Sequence, residues 1–499
     1  MRKLINHGTW SQIIDEEDSD LLSKLDEALS FKVPGAEFSR AFKGYVDRTG
    51  KFTRWDGLRH VLTKDLKVGS GLIPRIVEFY KDNGLEIEVE DNRPVKSIGS
   101  PIDILPRLKE MGKIPYKYQS NIIPTIDKND RGIIKLSTGG GKSILSALIT
   151  AHLGKKAIIY VIGKDLLYQF YDLFRDIFGD RAGIVGDGVC QISDFNIVSI
   201  WTAGQAIGIK KGDLLLEADD SGEKVDLSRR DDIIKMMEES RVNFWDECHM
   251  SACGTIQEIY RHSKNAEHQY GLSGTPWRED NADLLIEAIL GRYIVNIPAS
   301  YLIERGFLAK PIIKFIEVPE LTIKPINNVY ATLYKDYIVN NSVRNNLILK
   351  STKMLVDQGY QTLVLFNSLA HGKILYELIS QDVECVVLDG SDNKETRDEV
   401  KRKVMAGEVR CVLASRIFDI GIDLPCLSGL VLAGGGKSSV KALQRVGRVI
   451  RKYDGKTHAA VVDFADTCKF LDKHSKIRFK VYRSEDGFDV SWVKKKIKK

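Results

Sequence analysis

No stretch of this sequence stays apolar for the roughly 18 residues that a membrane-spanning helix needs, and the opening MRKLINHGTWSQ lacks the apolar core of a secretory leader. The seven cysteines, Cys190, Cys248, Cys253, Cys385, Cys411, Cys426 and Cys468, are odd in number and include no C-x-x-C pair. Free thiols in a reducing compartment follow, and a disulfide framework does not. Cys248, His249 and Cys253 lie close together, but a structural zinc needs four ligands. Charge of one sign is missing too. Lys plus Arg number 74 against 68 for Asp plus Glu, a net +6 over 499 residues, so any contact with a polyanion must come from local clustering. These absences exclude membrane-embedded and disulfide-stapled secreted classes. They leave a soluble cytoplasmic chain, long enough for roughly three domains with separate cores.

What is present centres on Ile133 to Ser143, IIKLSTGGGKS. Ile133, Ile134 and Leu136 read as a buried strand, three glycines strip side chains from the turn, and Lys142-Ser143 open a periodic segment, Ile144 to Leu148, that reads as a helix. Backbone N–H groups of Gly139, Gly140 and Gly141 can wrap an anion at a helix N-terminus. Lys142 can reach terminal phosphates, and the Ser143 hydroxyl can ligate Mg²⁺. The spacing G-x-x-x-x-G-K-[ST] would put a first glycine at position 136, where Leu136 stands.

Around this loop the chain divides by pattern. Residues 1–95 are expected to form a small α+β domain. It has an amphipathic helix near Asp18 to Leu29, a second near Leu72 to Asp82 that Gly84 would cap, and a strand alternating Leu85, Ile87 and Val89 with glutamates. Between the helices, Arg40, Lys43, Arg48, Lys51, Arg54 and Arg59 interleave with Phe42, Tyr45, Phe52 and Trp55. That stretch is either a solvated sheet face or a surface that grips phosphates and stacks on bases. Residues 96–114 read as a linker. Apolar runs at Ile133–Leu136, Ala157–Ile162, Asn196–Ile200 and Val242–Trp245 suit a parallel sheet covered on both faces, a doubly wound motor domain over 115–300. A second set over 301–470, at Thr362–Phe366, Cys385–Leu388, Arg410–Ala414, Leu430–Ala433 and Ala459–Phe464, repeats the pattern. Lys210 to Arg230 is a charged surface excursion. Residues 471–499 form an extension in which Ile477, Phe479 and Val481 alternate with Arg478 and Lys480 as in a strand while Ile477 and Val481 also stand at the i, i+4 spacing of a helix, the preferred reading, and which ends in the basic tail VKKKIKK.

After the strand ending at Trp245 come Asp246, Glu247, Cys248 and His249. Two adjacent carboxylates at the carboxyl edge of a parallel sheet, on the same sheet as a phosphate loop, fit a hydrolytic site. Asp246 would hold Mg²⁺, and Glu247 would orient and deprotonate the attacking water.

STGGGKS, DECH, the triplet Ser273-Gly274-Thr275 and QRVGRVIR at Gln444 to Arg451 stand in the order and approximate spacing of motifs I, II, III and VI of superfamily 2 helicases, which the chain resembles. Lesser motifs agree: PYKYQ ending at Gln119, VIGKDLLYQ at Val161 to Gln169, Leu363 to Ser368 and SRIFDIGIDLP at Ser415 to Pro425. The resemblance implies two tandem RecA-like doubly wound domains and ATP hydrolysis with Mg²⁺. It implies nucleotide contacts from Gln119, Thr138, Gly139 to Gly141, Lys142, Ser143, Gly421 and Asp423. Arg448 and Arg451, at i, i+3, would share a helix face as arginine fingers. Ser273, Thr275, His249 and Gln444 would couple nucleotide state to the strand, with Lys164, Thr202 and Arg416 as phosphate contacts; IWTAGQ around Thr202 departs from the usual order.

Phe38 to Gly71, with RWDG at Arg54 to Gly57 and GSGL at Gly69 to Leu72, is similar to the small DNA-binding domain that precedes the motor in bacteriophage UvsW-type helicases. Together with HGK at His371 to Lys373, this implies a RecG-like branch-migration enzyme acting on forks and Holliday junctions, with Arg54 and Trp55 on the DNA. It also implies activity as a monomer, with phage replication or recombination proteins as partners. A DExH RNA helicase, the motor subunit of a restriction-type complex and a binding protein with a silent motor are the alternatives. A second GGGKS, Gly434 to Ser438, precedes motif VI and reads as a tight strand-to-helix turn, a polar loop or a second nucleotide loop.

Overall fold

The computed structural model describes residues 2–46, 51–210, 224–278, 280–320, 329–390, 392, 394–415 and 424–493. Arg48, Arg416, Gly421, Asp423, most of the 210–230 insert and the tail beyond Val493 lie outside the described residues. The chain forms two compact units, residues 1–135 with 142–296, and residues 297–499 with the segment 136–141.

In the first unit the amino-terminal segment builds a four-stranded sheet in the order Lys67–Gly69, Trp10–Ile14, Lys3–Asn6, Glu88–Asp91. Helix Ser19–Ala28 starts where the Asp18 carboxylate accepts from the N–H groups of Asp20 and Leu21, which satisfies two of the donors that a helix start leaves open. Its Leu21 and Leu25 pack with Leu4 and Ile13 of the sheet, Leu72 of the turn Ser70–Leu72 and Ile76 of helix Ile73–Asp82. The expected strand over Leu85 to Val89 begins later, at Glu88. The Leu85 N–H still donates to the Tyr80 carbonyl in the helix's closing turn, where Gly84 takes φ +72°. Val89 is consequently exposed.

The GSGL stretch is a packing seam. A Cβ on Gly71 would sit 1.9 Å from the Glu287 carbonyl oxygen, and one on Gly69 2.3 Å from that of Ala288. Only bare backbone can lie this close to helix Asp283–Leu290. Arg75 pairs with Glu287 at 2.6 Å, and Arg131 donates to the Gly8 carbonyl at 2.7 Å, across the same seam. The stretch read as a linker is likewise bonded down. The N–H groups of Ser100 and Ile102 donate to Gly154 and Ala151 carbonyls, and residues Leu105–Glu110 form a helix that buries Leu108.

The first motor sheet has eight strands in the order 189–191, 182–186, 195–199, 157–161, 242–246, 268–273, 131–136, 293–297. From Ala182–Gly186 through Arg131–Leu136 the pairs are parallel. The inner strands are buried along their whole length, as continuous apolar runs require when helices cover both faces. Within the second unit the order is 385–388, 411–414, 362–365, 429–432, 458–465, 310–317, 489–493, parallel throughout. These are two doubly wound α/β sheets of the RecA-like kind. The carboxyl-terminal extension is helical over Lys469–Ser484 and then adds an edge strand, Asp489–Val493, whose Trp492 stacks on Phe315 at 5.6 Å between centroids. Among the described residues, no helix is long and apolar enough to cross a membrane.

Candidate active site and nucleic-acid surfaces

Strand Arg131–Leu136 ends in the glycine loop, and helix Lys142–Leu153 begins directly after it. Gly139 and Gly141 take φ of +85° and +77°, a backbone that side chains rarely adopt, which is why the turn is written in glycine. Two strands away, Val242–Asp246 is held from both sides, by Ala157–Val161 and by His268–Ser273. Trp245 fixes its end: the ring stacks on Tyr160 at 4.3 Å and the indole N–H donates to Gln269 Oε1 at 2.9 Å. Asp246 therefore leaves the sheet at a defined point, with Glu247 just beyond in the left-handed region at φ +49°. A non-glycine residue there stores backbone strain, a feature common at reactive sites.

Three motifs meet on Glu247. Lys142 Nζ donates to Oε1 at 3.0 Å, Ser273 Oγ donates to Oε2 at 3.0 Å, and His249 Nδ1 lies 3.4 Å from Oε2. Burial works against ionisation of Glu247. The Lys142 charge and the His249 contact outweigh it and hold the carboxyl well below the usual range. Asp246, 4.0 Å from Lys142 Nζ, shifts the other way: burial lifts it to about 6, with Lys142 pulling down and Glu247 pushing up. Asp246 Oδ1 is buried and makes no hydrogen bond, which fits an oxygen reserved for a cation.

Motif III is wired to motif II through Ser273, whose Oγ also accepts from the Thr275 N–H at 3.1 Å. Arg278, not singled out from sequence, donates to the His249 carbonyl at 3.2 Å and pairs with Asp280 at 2.6 Å, bracing both loops. Its only signal was a position three residues beyond Thr275. Gln119 is buried, and its Oε1 accepts from the Tyr116 N–H at 2.8 Å.

Thr202 is buried in helix Ile200–Ala206. Lys164 is in an ion pair with Asp187 at 2.6 Å. In the second unit Gln444 and Arg448 lie in helix Ser439–Val449. Arg451 does not share that helix: Ile450 ends it, the Ala309 N–H takes the Ile450 carbonyl, and Arg451 forms a bridge with Leu308. The i, i+3 helical spacing therefore does not relate the two arginines.

In the amino-terminal segment, Arg40, Lys43, Lys51, Arg54 and Arg59 are exposed, as are Phe38, Tyr45 and Phe52. Arg40 lies over the Tyr45 ring and Arg54 over Phe42, each at 5.6 Å. Trp55 is half-buried, its indole N–H donating to the Leu58 carbonyl at 2.7 Å. Guanidinium–ring layers of this kind offer both charge and stacking faces.

Residues 112–278 match the family model described as "Type III restriction enzyme, res subunit", and 344–453 the one described as "Helicase conserved C-terminal domain". The chain is 26% identical over 496 residues to the ATP-dependent DNA helicase uvsW of Enterobacteria phage T4, covering 94% of this chain and 91% of that protein. It is 23% identical over 407 residues to the DNA 3'-5' translocase XPB2 of Sulfurisphaera tokodaii, covering 74% and 84%. A solved structure of S. cerevisiae Dbp5 bound to RNA and ADP BeF3 shares the fold, with TM-score 0.52 at 15% identity over 80% of this chain and 96% of that one.

Proposed function

The chain belongs to the superfamily 2 helicases and hydrolyses ATP, and from that premise we propose that it is a DNA motor that remodels branched DNA, regressing forks and migrating Holliday junctions. The observation that carries this reading is the extent of the likeness to a DNA helicase: it runs over 94% of the chain, well beyond residues 112–278 and 344–453 that match the two family models. The exposed cations and rings around Arg40 to Arg59 support the same reading. Nucleic-acid grip there would be salt-dependent and tolerant of sequence.

Within the site, Lys142 binds the terminal phosphates, and in doing so loosens its hold on Glu247. Glu247, ionised at neutral pH, then takes a proton from the attacking water. Ser273 senses that change directly because its hydroxyl rests on the same carboxylate. Asp246 and Ser143 are the residues that would hold Mg²⁺, which would neutralise phosphate charge. To Arg448 and Arg451 we assign stabilisation of charge on the departing phosphate. The substrate is DNA in the context of phage recombination and repair, within the host cytoplasm, with the chain acting as a monomer.

The test is ATP turnover measured with forked DNA, a four-way junction, linear duplex, single-stranded DNA and single-stranded RNA. Stimulation greatest with the branched substrates is expected; stronger stimulation by RNA than by any DNA would refute the reading.

A further inference from the structure

The second unit carries a cavity of about 290 Å³ at the carboxyl ends of strands Thr362–Leu365 and Gly429–Leu432, the sheet edge where ligands sit in this architecture. Its wall includes most of the second GGGKS, Gly434 to Ser438. The loop is built on glycine for cause. Gly435 and Gly436 take φ of +59° and +127°, and a Cβ on Gly434 would meet Asn367 Cγ at 2.7 Å. Nothing lies within 4 Å of a Cβ placed on Gly436, so the loop backbone is open there.

This loop differs from the one at Gly139 to Ser143 in two chemical respects. Ser438 is the helix cap, its Oγ accepting from the Lys441 N–H at 3.3 Å, whereas Ser143 lies inside its helix. The carboxylates nearest the loop on the neighbouring strand are already matched by cations. Asp463 takes a bidentate pair from Arg478 at 2.9 Å, and Asp466 takes Arg344 Nε at 2.8 Å. Among the described residues no carboxylate lines the cavity, whereas Lys437, Lys441 and Arg445 do, together with Arg478, whose charge Asp463 balances. Arg445 and Arg478 are more than nine-tenths buried and held in place, Arg445 by Asn367 Oδ1 at 3.0 Å and Arg478 by the Gly436 carbonyl at 2.6 Å. A nucleoside triphosphate brings a metal and calls for an acid to hold it. A cavity lined by cations with no acid suits a single phosphodiester.

We propose that this cavity takes one backbone phosphate of the nucleic-acid strand, gripped by Lys437 and Lys441 above the fixed Arg445. The proposal rests on the reading of the chain as a nucleic-acid motor. It adds Lys437 and Lys441, which lie outside the motifs that carried the resemblance, to Arg445 of QRVGRVIR.

The test uses the full chain and the paired substitution Lys437→Ala with Lys441→Ala. Both lysines are exposed, so the fold should survive. The control is Lys401→Ala, an exposed lysine on helix Lys394–Met405 of the same unit. Binding of a labelled oligothymidine is titrated at several salt concentrations, with a single-stranded RNA in parallel. The paired variant should lose on the order of fivefold in affinity at low salt, and the slope of log affinity against log salt should fall by about 0.7, the value for one phosphate on a single strand. The control should change neither by more than about a third of that. An unchanged slope in the paired variant, or an equal loss in the control, overturns the site. A raised half-saturating ATP concentration with DNA affinity intact also overturns it, in favour of a nucleotide. Losses confined to RNA would retain the site and overturn the DNA reading instead.

Discussion

Replacing Glu247 with Gln isolates the chemistry assigned to one carboxylate. The amide keeps the shape and can still accept from Ser273 Oγ, but it removes the charge that Lys142 Nζ meets at 3.0 Å. At an effective dielectric of about 20, the attraction between unit charges at that separation is roughly 5 kcal/mol. Most of it is returned as desolvation of two partly buried groups, so about 1–2 kcal/mol of net coupling is lost. Lys142 then keeps the Asp246 carboxylate, at 4.0 Å, as the opposite charge that competes with an incoming phosphate. ATP affinity in the variant should therefore stay level or rise by up to about tenfold, the equivalent of about 1.4 kcal/mol. Turnover should fall by about 10³-fold, or roughly 4 kcal/mol of transition-state stabilisation. Equilibrium binding of a fluorescent ATP analogue and single-turnover hydrolysis separate the two effects. Hydrolysis within about tenfold of the parent would place the base elsewhere. Loss of binding along with hydrolysis would make Glu247 a structural strut.

Three further outcomes follow from particular contacts. His371 is fully buried, its Nε2 within 3.0 Å of Asn345 Oδ1, and burial together with the Arg344 charge drives its pKa down to about 3. The unfolded chain takes up this proton near pH 6.5 and the folded chain does not. Stability is therefore lost as pH falls below 6.5, by about 2 kcal/mol at pH 5 from this group alone; a denaturation series on His371→Gln should show that part of the slope removed, and an unchanged slope would contradict it. Gly71→Ala would drive a Cβ to 1.9 Å from the Glu287 carbonyl oxygen, so calorimetry should register a loss of more than about 2 kcal/mol, and a neutral result would mean that the seam yields. Phe38→Ala with Phe52→Ala removes two exposed rings and should weaken junction binding by about 1–3 kcal/mol per stacked base without lowering stability; unaltered binding would leave those rings as surface only.

Nine strands of the two motor sheets were legible because a strand buried on two faces must be written as a continuous apolar run, as Ala157–Val161 and Val242–Asp246 are, whereas His268–Ser273 and Lys310–Glu317, which carry polar residues within the run, were not singled out. The core of the candidate site was legible for a related reason: glycines, Lys142 and the Asp246-Glu247 pair sit where chain direction in a parallel sheet delivers them to one edge. What stayed hidden depends on contacts far apart in sequence. Arg344 meets Asp466 and Arg478 meets Asp463 deep in the second unit, and neither pairing leaves a local pattern. GSGL carried the resemblance to a DNA-binding domain, yet Gly69 and Gly71 are glycine because helix Asp283–Leu290 lies against them. Arg451 looked helical by spacing, but the Ala309 N–H captures the Ile450 carbonyl and ends the helix first.

Movement of a branch point by the chain is the most direct measure of the branched-DNA assignment. A synthetic four-way junction with homologous arms, labelled on one strand and incubated with the protein, ATP and Mg²⁺, should resolve into forked duplexes in a reaction that fails with Glu247→Gln. Persistence of the junction under conditions where the same preparation hydrolyses ATP would contradict the branched-DNA assignment.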